Sequence, residues 1–177
     1  MKDILVVVDY QNDFVDGALG FPKAKELEEG IYSKVKRYLE NGKQVIFTYD
    51  THEEDYLSTR EGKNLPVVHC IDGTEGHELY GRLKEFKNIE NTIHIKKASF
   101  GVDPADMVKL RETLGEVDNV EIVGVVTDIC VISNVVTFQS TFVNANITVD
   151  SNLCASFDEE KHNKALNVME SIQAKVK

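Results

Sequence analysis

The 177-residue sequence contains no tryptophan, three prolines and three cysteines. Cys70, Cys130 and Cys154 stand at unrelated spacings. That excludes a fold stapled by disulfides and points to a reduced, cytoplasmic setting. No segment stays apolar for the ~20 residues that a membrane-crossing helix needs. Met1-Lys-Asp runs straight into the first apolar stretch, so no leader peptide is expected. Positive charge is also scarce: 20 Lys and Arg against 30 Asp and Glu give a formal charge of −10. That balance argues against nucleic acid or an anionic membrane surface as a partner, and it sets a favourable field for a bound cation. What is present, 42% hydrophobic and 28% charged residues, suits a single globular domain spanning 1–177, large enough to bury about 70% of its unfolded surface.

Along the chain, strand and helix patterns alternate. Ile4–Val8 is a continuous β-branched and aliphatic run, read as a strand buried on both faces. From Ala24, the residues Leu27, Ile31, Val35 and Leu39 recur at intervals of three and four, which predicts an amphipathic helix closed by Asn41-Gly42. Gln44–Tyr49 reads as the second strand. Asp50 to Gly76 shows no sustained period and predicts a long loop, which in a compact domain is usually functional or disordered. A short helix over His77–Phe86 and a third strand over Thr92–Lys96 follow. Pro104 starts a helix with Met107, Leu110 and Leu114 along its apolar line. Val120–Val126 and Ile147–Val149 are the fourth and fifth strands, with a long helix, Asp128 to Asn144, between them. Ser156 and Glu159 make a capping box for a last helix that buries Ala165, Val168 or Met169, and Ile172. This order predicts an α/β fold: an open parallel sheet in a three-layer α-β-α sandwich.

In such a sheet, ligands bind outside the carboxyl ends of the strands. Asp9, Asp50, Lys97 and the turn Thr127-Asp-Ile-Cys130 all fall at that edge. Cys130 near a helix start has free N–H groups and the positive end of a helix dipole beneath its sulfur, which favours thiolate and offers an oxyanion pocket. The plain alternative is a small buried hydrophobe. Asp9 can accept the thiol proton, and Lys97 can stabilise the anion. Asp9 as a turn cap and Lys97 as a solvated neighbour of Lys96 are their structural alternatives.

Within the long loop, Asp50-Thr-His52 offers two ligands on one side of an extended chain, and Glu61 and His69 follow. Two imidazoles with one or two carboxylates suit zinc, manganese or iron(II). Cys70 reads as core, and Glu53 and Glu54 read as a solvated acidic loop.

Taken in order, Val-Val-Asp9-Tyr-Gln-Asn-Asp-Phe14, Asp50-Thr-His52, Leu65-Pro-Val-Val-His69-Cys70, Lys97-Ala-Ser-Phe100 and Gly124-Val-Val-Thr-Asp-Ile-Cys130-Val resemble the nicotinamidases of the isochorismatase-like cysteine hydrolases. The resemblance covers nearly the whole chain. It implies Asp9, Lys97 and Cys130 as a catalytic triad, backbone N–H groups of Val126 and Cys130 as an oxyanion hole, and Asp50, His52 and His69 as ligands of one divalent ion. Glu61 is implied as a further ligand, direct or through water. It further implies hydrolysis of nicotinamide or a related pyridine carboxamide in NAD salvage, a homo-oligomer, and a cis peptide at Val125–Val126. Many relatives flank the substrate ring with tryptophan. Here Phe14, Phe100, Leu19 and Val126 have to line it.

Three other readings differ in chemistry. A related cysteine hydrolase acting on another small amide would keep the triad. A vinyl-ether hydrolase would have no use for Cys130. A non-catalytic redox or binding module would oxidise at Cys130 and leave Lys97 and the metal ligands without a role.

Overall fold

The computed structural model describes residues 1–177. Six strands form one parallel sheet: β1 (Asp3–Val8), β2 (Gln44–Asp50), β3 (Thr92–Lys97), β4 (Asn119–Val125), β5 (Asn146–Ala155) and β6 (Lys175–Val176). Their order across the sheet is β3-β2-β1-β4-β5-β6. The chain reverses direction of travel after β3 and returns to the other side of β1. The switch point of the sheet therefore lies between β1 and β4, where open α/β sheets form their binding crevice.

Residues of β1 alternate between the two faces, as the pleat requires. Ile4, Val6 and Val8 join an apolar cluster with Met107, Leu110, Val135, Phe138, Ala165 and Met169. These come from α5 (Pro104–Leu114), α6 (Ile132–Thr141) and α7 (Glu159–Ser171). Leu5 and Val7 join the opposite cluster with Phe14, Ala24, Ile31 and Val35, from α1 (Asn12–Val15), α2 (Pro22–Lys25) and α3 (Glu28–Glu40). The architecture is the three-layer α/β sandwich that the pattern predicts. No helix is long and apolar enough to cross a membrane.

Several elements differ from their sequence reading. The helix begun at Ala24 is two pieces, α2 and α3, because Pro22 opens a single turn that ends before Leu27. The long loop holds a 3₁₀ turn, Tyr56–Ser58, and a short helix, α4 (Arg60–Asn64), capped by the Thr59 hydroxyl. The helix expected over His77–Phe86 is two 3₁₀ turns, Glu75–His77 and Gly81–Phe86, interrupted before Gly81, whose φ is +54°. β5 is ten residues long and bulges against β4: Ile122 pairs with Val149, but Gly124 already pairs with Cys154. A sixth strand follows α7. The last helix is capped by Asp158, which accepts from the Lys161 N–H, while the Ser156 hydroxyl donates instead to Asp128.

Strand registers bring the functional candidates to one edge. Val8 pairs with both Thr48 and Gly124, and Asp50 pairs with Lys97. Gly124 has φ +119°, and a Cβ there would lie 2.2 Å from the Val8 carbonyl oxygen. Glycine is what lets β4 close against β1 one step before the Cys130 turn. The Val125–Val126 bond that follows is cis.

Candidate active site

Asp9 is the first residue past β1, with φ 45°, and is fully buried. One carboxylate oxygen, Oδ1, accepts from the Thr48 hydroxyl at 2.7 Å. The other, Oδ2, lies 2.7 Å from Lys97 Nζ. Lys97 ends β3 with its side chain turned into the site, donating to the Ser99 carbonyl at 2.9 Å and standing 3.7 Å from Cys130 Sγ. The alternation of β3 sends Lys96 outward, where it pairs with Asp72 at the surface.

Cys130 does not begin a regular α-helix. It sits in a π-helical turn, Thr127–Val131, which is tied down by the N–H groups of Ile129 and Val131 on the Val126 carbonyl, 3.1 Å each. The regular helix starts only at Ile132 and ends at Thr141, short of Asn144. The Val126 N–H has no acceptor within the chain. Cys130 is 4% exposed, and burial pushes its thiol well above 9.0, with Lys97 opposing and Asp9 and Asp50 adding to the rise. Desolvation thus opposes the thiolate that the turn's N–H groups and the Lys97 ammonium favour. Burial raises the Asp9 carboxyl above its ordinary 3.8, against the pull of Lys97. Lys97 is held above its ordinary 10.5: burial alone would lower it, but Asp9 and Cys130 outweigh that loss, so it remains an ammonium.

Beside this trio stand Asp50, His52, Glu61 and His69, whose ligand atoms all lie within 4.8 Å of one another. Asp50 Oδ2 is 3.0 Å from His52 Nε2 and 3.2 Å from His69 Nε2. Glu61 Oε1 is 3.6 and 4.0 Å from the same two nitrogens. His69 Nδ1 donates to the Val67 carbonyl at 2.7 Å, which leaves Nε2 as a lone-pair donor. Asp50 Oδ1 is buried without a hydrogen-bond partner, 3.6 Å from Lys97 Nζ. The Asp50 carboxylate, whose Oδ2 meets both imidazoles, the two imidazoles and the Glu61 carboxylate make a donor set that fits a divalent transition-metal ion. Cys70 lies outside the group and packs in the core.

Residues 3–177 match the isochorismatase domain. The chain belongs to the isochorismatase family. It is 33% identical to the uncharacterized isochorismatase family protein PncA of Bacillus subtilis, over 94% of this chain and 93% of that one. Its fold is similar to a crystal structure of nicotinamidase/pyrazinamidase PncA from Bacillus subtilis, with TM-score 0.88 and 33% identity over 99% of both chains. It is also similar to the pyrazinamidase of Pyrococcus horikoshii solved in complex with zinc, with TM-score 0.86 and 25% identity over 100% of this chain and 99% of that one. Within the isochorismatase family this chain is an amidohydrolase.

The isochorismatase-family chain divides its apolar candidates between the two sheet faces. Phe14 meets His69 edge-on, with ring centroids 5.5 Å apart. Leu19 packs against the same cluster as Phe14 and Val126, whereas Phe100 packs against the cluster that holds Cys130. Four buried polar residues escaped the sequence reading. Gln11 accepts from the Asp50 N–H at 2.8 Å and donates to the carbonyls of Asp50 and His77, 2.9 Å each. Thr48 holds Asp9. Tyr56 rests against both imidazoles, at 4.5 and 5.0 Å from His52 and His69. Asn134, one turn beyond Cys130, donates to the Cys130 carbonyl at 2.8 Å. Gln11 stands two residues past Asp9, so its spacing was the one available signal. The other three depend on packing.

Proposed function

We propose that this amidohydrolase converts nicotinamide, or a closely related pyridine carboxamide, to the carboxylate and ammonia through a thioester on Cys130. The observation that carries the reading is the convergence of a buried carboxylate, ammonium and thiol beside a four-donor group, in a chain similar to nicotinamidases over its length.

Asp9 accepts the thiol proton as the sulfur attacks the carboxamide carbon, so that the thiolate forms only as it is consumed. Lys97 balances the negative charge that moves from carboxylate to sulfur. The carbonyl π pair moves onto oxygen, where the N–H groups of Val126 and Cys130 receive it; losing one such donor typically costs about 10²–10³ in rate. Asp9 returns its proton to nitrogen as the C–N bond breaks, and ammonia leaves. Water, deprotonated by Asp9, then adds to the thioester. The C–S bond breaks, the acid is released and the thiol is restored. Phe14, Leu19, Phe100 and Val126 line the ring, a task that needs no tryptophan.

Asp50, His52, His69 and Glu61 would hold one divalent ion, with zinc favoured and manganese or iron(II) suited to the same donors. When bound, it supplies Lewis-acid anchoring of the substrate. The reading further places the enzyme in NAD salvage, in the cytoplasm, as a single domain and a homo-oligomer. The three unpaired cysteines fit a reducing compartment.

The test is release of ammonia from nicotinamide by the purified protein, before and after chelation and zinc replacement, with Cys130→Ala alongside. Turnover lost on chelation, restored by zinc and absent in Cys130→Ala is the expected result. No turnover of nicotinamide, with turnover of another small amide, would replace the substrate. Full turnover by Cys130→Ala would end the thioester mechanism.

A further inference from the structure

The turn that presents Cys130 is held from outside the family motifs, by the segment that begins α7. Thr127 is fully buried, and its hydroxyl has one hydrogen-bond partner, His162 Nδ1, at 2.8 Å. The next residue, Asp128, accepts from the Ser156 hydroxyl. Two consecutive residues of the π-helical turn are therefore fastened to two side chains that flank the Asp158 cap of α7. That cap is itself ordered: Asp158 accepts from the Lys161 N–H, and the His162 N–H donates to the Asp158 carbonyl at 2.9 Å.

The turn needs such support. Its far end is secured by α6, through the Ile132 N–H on the Thr127 and Ile129 carbonyls and Asn134 on the Cys130 carbonyl. Its near end is secured through the Val126 carbonyl, and that same Val126 joins it to β4 with its N–H unpaired. A buried hydroxyl without a partner is costly. Thr127 thus stays where His162 can reach it, which sets the position of the segment from Val126 to Cys130. Positioning errors of about 1 Å at a reacting centre cost up to roughly 10²-fold in rate.

We infer that His162 and Ser156 are positioning residues for the nucleophile turn, acting through Thr127 and Asp128 on the placement of the Cys130 sulfur and the Val126 N–H. The inference rests on the reading of Cys130 as nucleophile. It assigns a role in turnover to a helix that contributes no group to the site, and it predicts an effect on kcat with KM and metal content unchanged.

The discriminating series is His162→Leu, His162→Asn and Thr127→Val. An asparagine amide occupies the place of the imidazole Nδ1, so it can keep the bond to Thr127, whereas leucine cannot. His162→Leu should lower kcat about tenfold with KM within about twofold, and His162→Asn should recover most of that loss. Thr127→Val, which keeps the buried volume, should match His162→Leu, and the double variant should fall no further. Wild-type kcat in both His162→Leu and Thr127→Val overturns the inference. So does an asparagine variant as slow as the leucine one, or a loss confined to KM or to bound metal. Should His162→Leu fail to fold, Thr127→Val carries the test.

Iodoacetamide alkylation of Cys130, followed on its own peptide, separates this inference from the substrate assignment. A loosened turn should be alkylated about threefold faster in His162→Leu whatever amide is hydrolysed. An unchanged rate counts against the inference, while lack of ammonia from nicotinamide counts only against the substrate.

Discussion

Lys97 Nζ lies 2.7 Å from Asp9 Oδ2, and neither side chain has any exposed surface. Removing one member of a buried ion pair strands the other charge, at a cost of about 3–5 kcal/mol. Lys97→Met should therefore lower stability in urea unfolding as well as abolish turnover. Combining it with Asp9→Asn should return much of the stability and none of the activity. Wild-type stability in the single variant would contradict the pairing.

The four donors are not equivalent. His52 and His69 are nearly buried and share Asp50 Oδ2, while Glu61 stands further off and keeps 18% of its side chain exposed. Zinc should raise Tm, by about 2.7 kcal/mol of stability at a hundredfold excess over Kd. His69→Ala should erase that shift, and Glu61→Ala should reduce it. Equal effects from both substitutions would show that Glu61 binds as a full ligand.

Gln11 fastens both main-chain groups of Asp50 and is wholly buried. Gln11→Met keeps the volume and deletes the three bonds. Loss of such outer support typically weakens metal binding about 10–100-fold. Competition with a chelator, read on folded protein, should show a drop of that order. An unchanged affinity would reduce Gln11 to packing.

Across the sheet, Lys34 joins Glu121 and Asp150, and Lys177 and Tyr38 also reach Glu121. Burial alone would raise the Glu121 carboxyl, but hydrogen bonds from Lys177, Lys34 and Tyr38 bring it down from 4.5 to about 2. A depressed folded-state value contributes stability above the unfolded value of 4.5 and loses it as pH falls toward about 2. Wild type should therefore exceed Glu121→Gln in Tm near neutral pH, and the gap should close across that window. A constant gap would dismiss the ionic contribution.

The layer order and most strands were legible because β1, β2 and β4 are buried on both faces. β1 reads as an apolar run from Ile4 to Val8, and β2 and β4 are apolar inside their ends apart from Thr48 and Glu121. The choice of Lys97 over Lys96 rested on the resemblance, and the alternation of β3 agrees with it. Asp50, His52, Glu61 and His69 lie far enough apart in sequence that only the folded loop brings their ligand atoms together. The extent of β5 was hidden by its bulge, where Asp150 turns to Lys34 and interrupts the apolar pattern. The capping box at Ser156 misled because that hydroxyl has a tertiary partner, Asp128, which local spacing does not encode. The desolvation that opposes a thiolate at Cys130 is hidden for a similar reason: dipole and ammonium can be anticipated from the sequence, but the depth of burial cannot.

Tyr56 meets both imidazoles, tilted on His52 and edge-on to His69, in a chain with no indole to outshine its six phenols. Ultraviolet emission of the protein thus comes from tyrosine alone, and one emitter touches two of the four candidate metal donors, His52 and His69. Paramagnetic manganese or iron(II) should dim that light where diamagnetic zinc leaves it bright, which gives the centre an optical gauge of its own occupancy without any label.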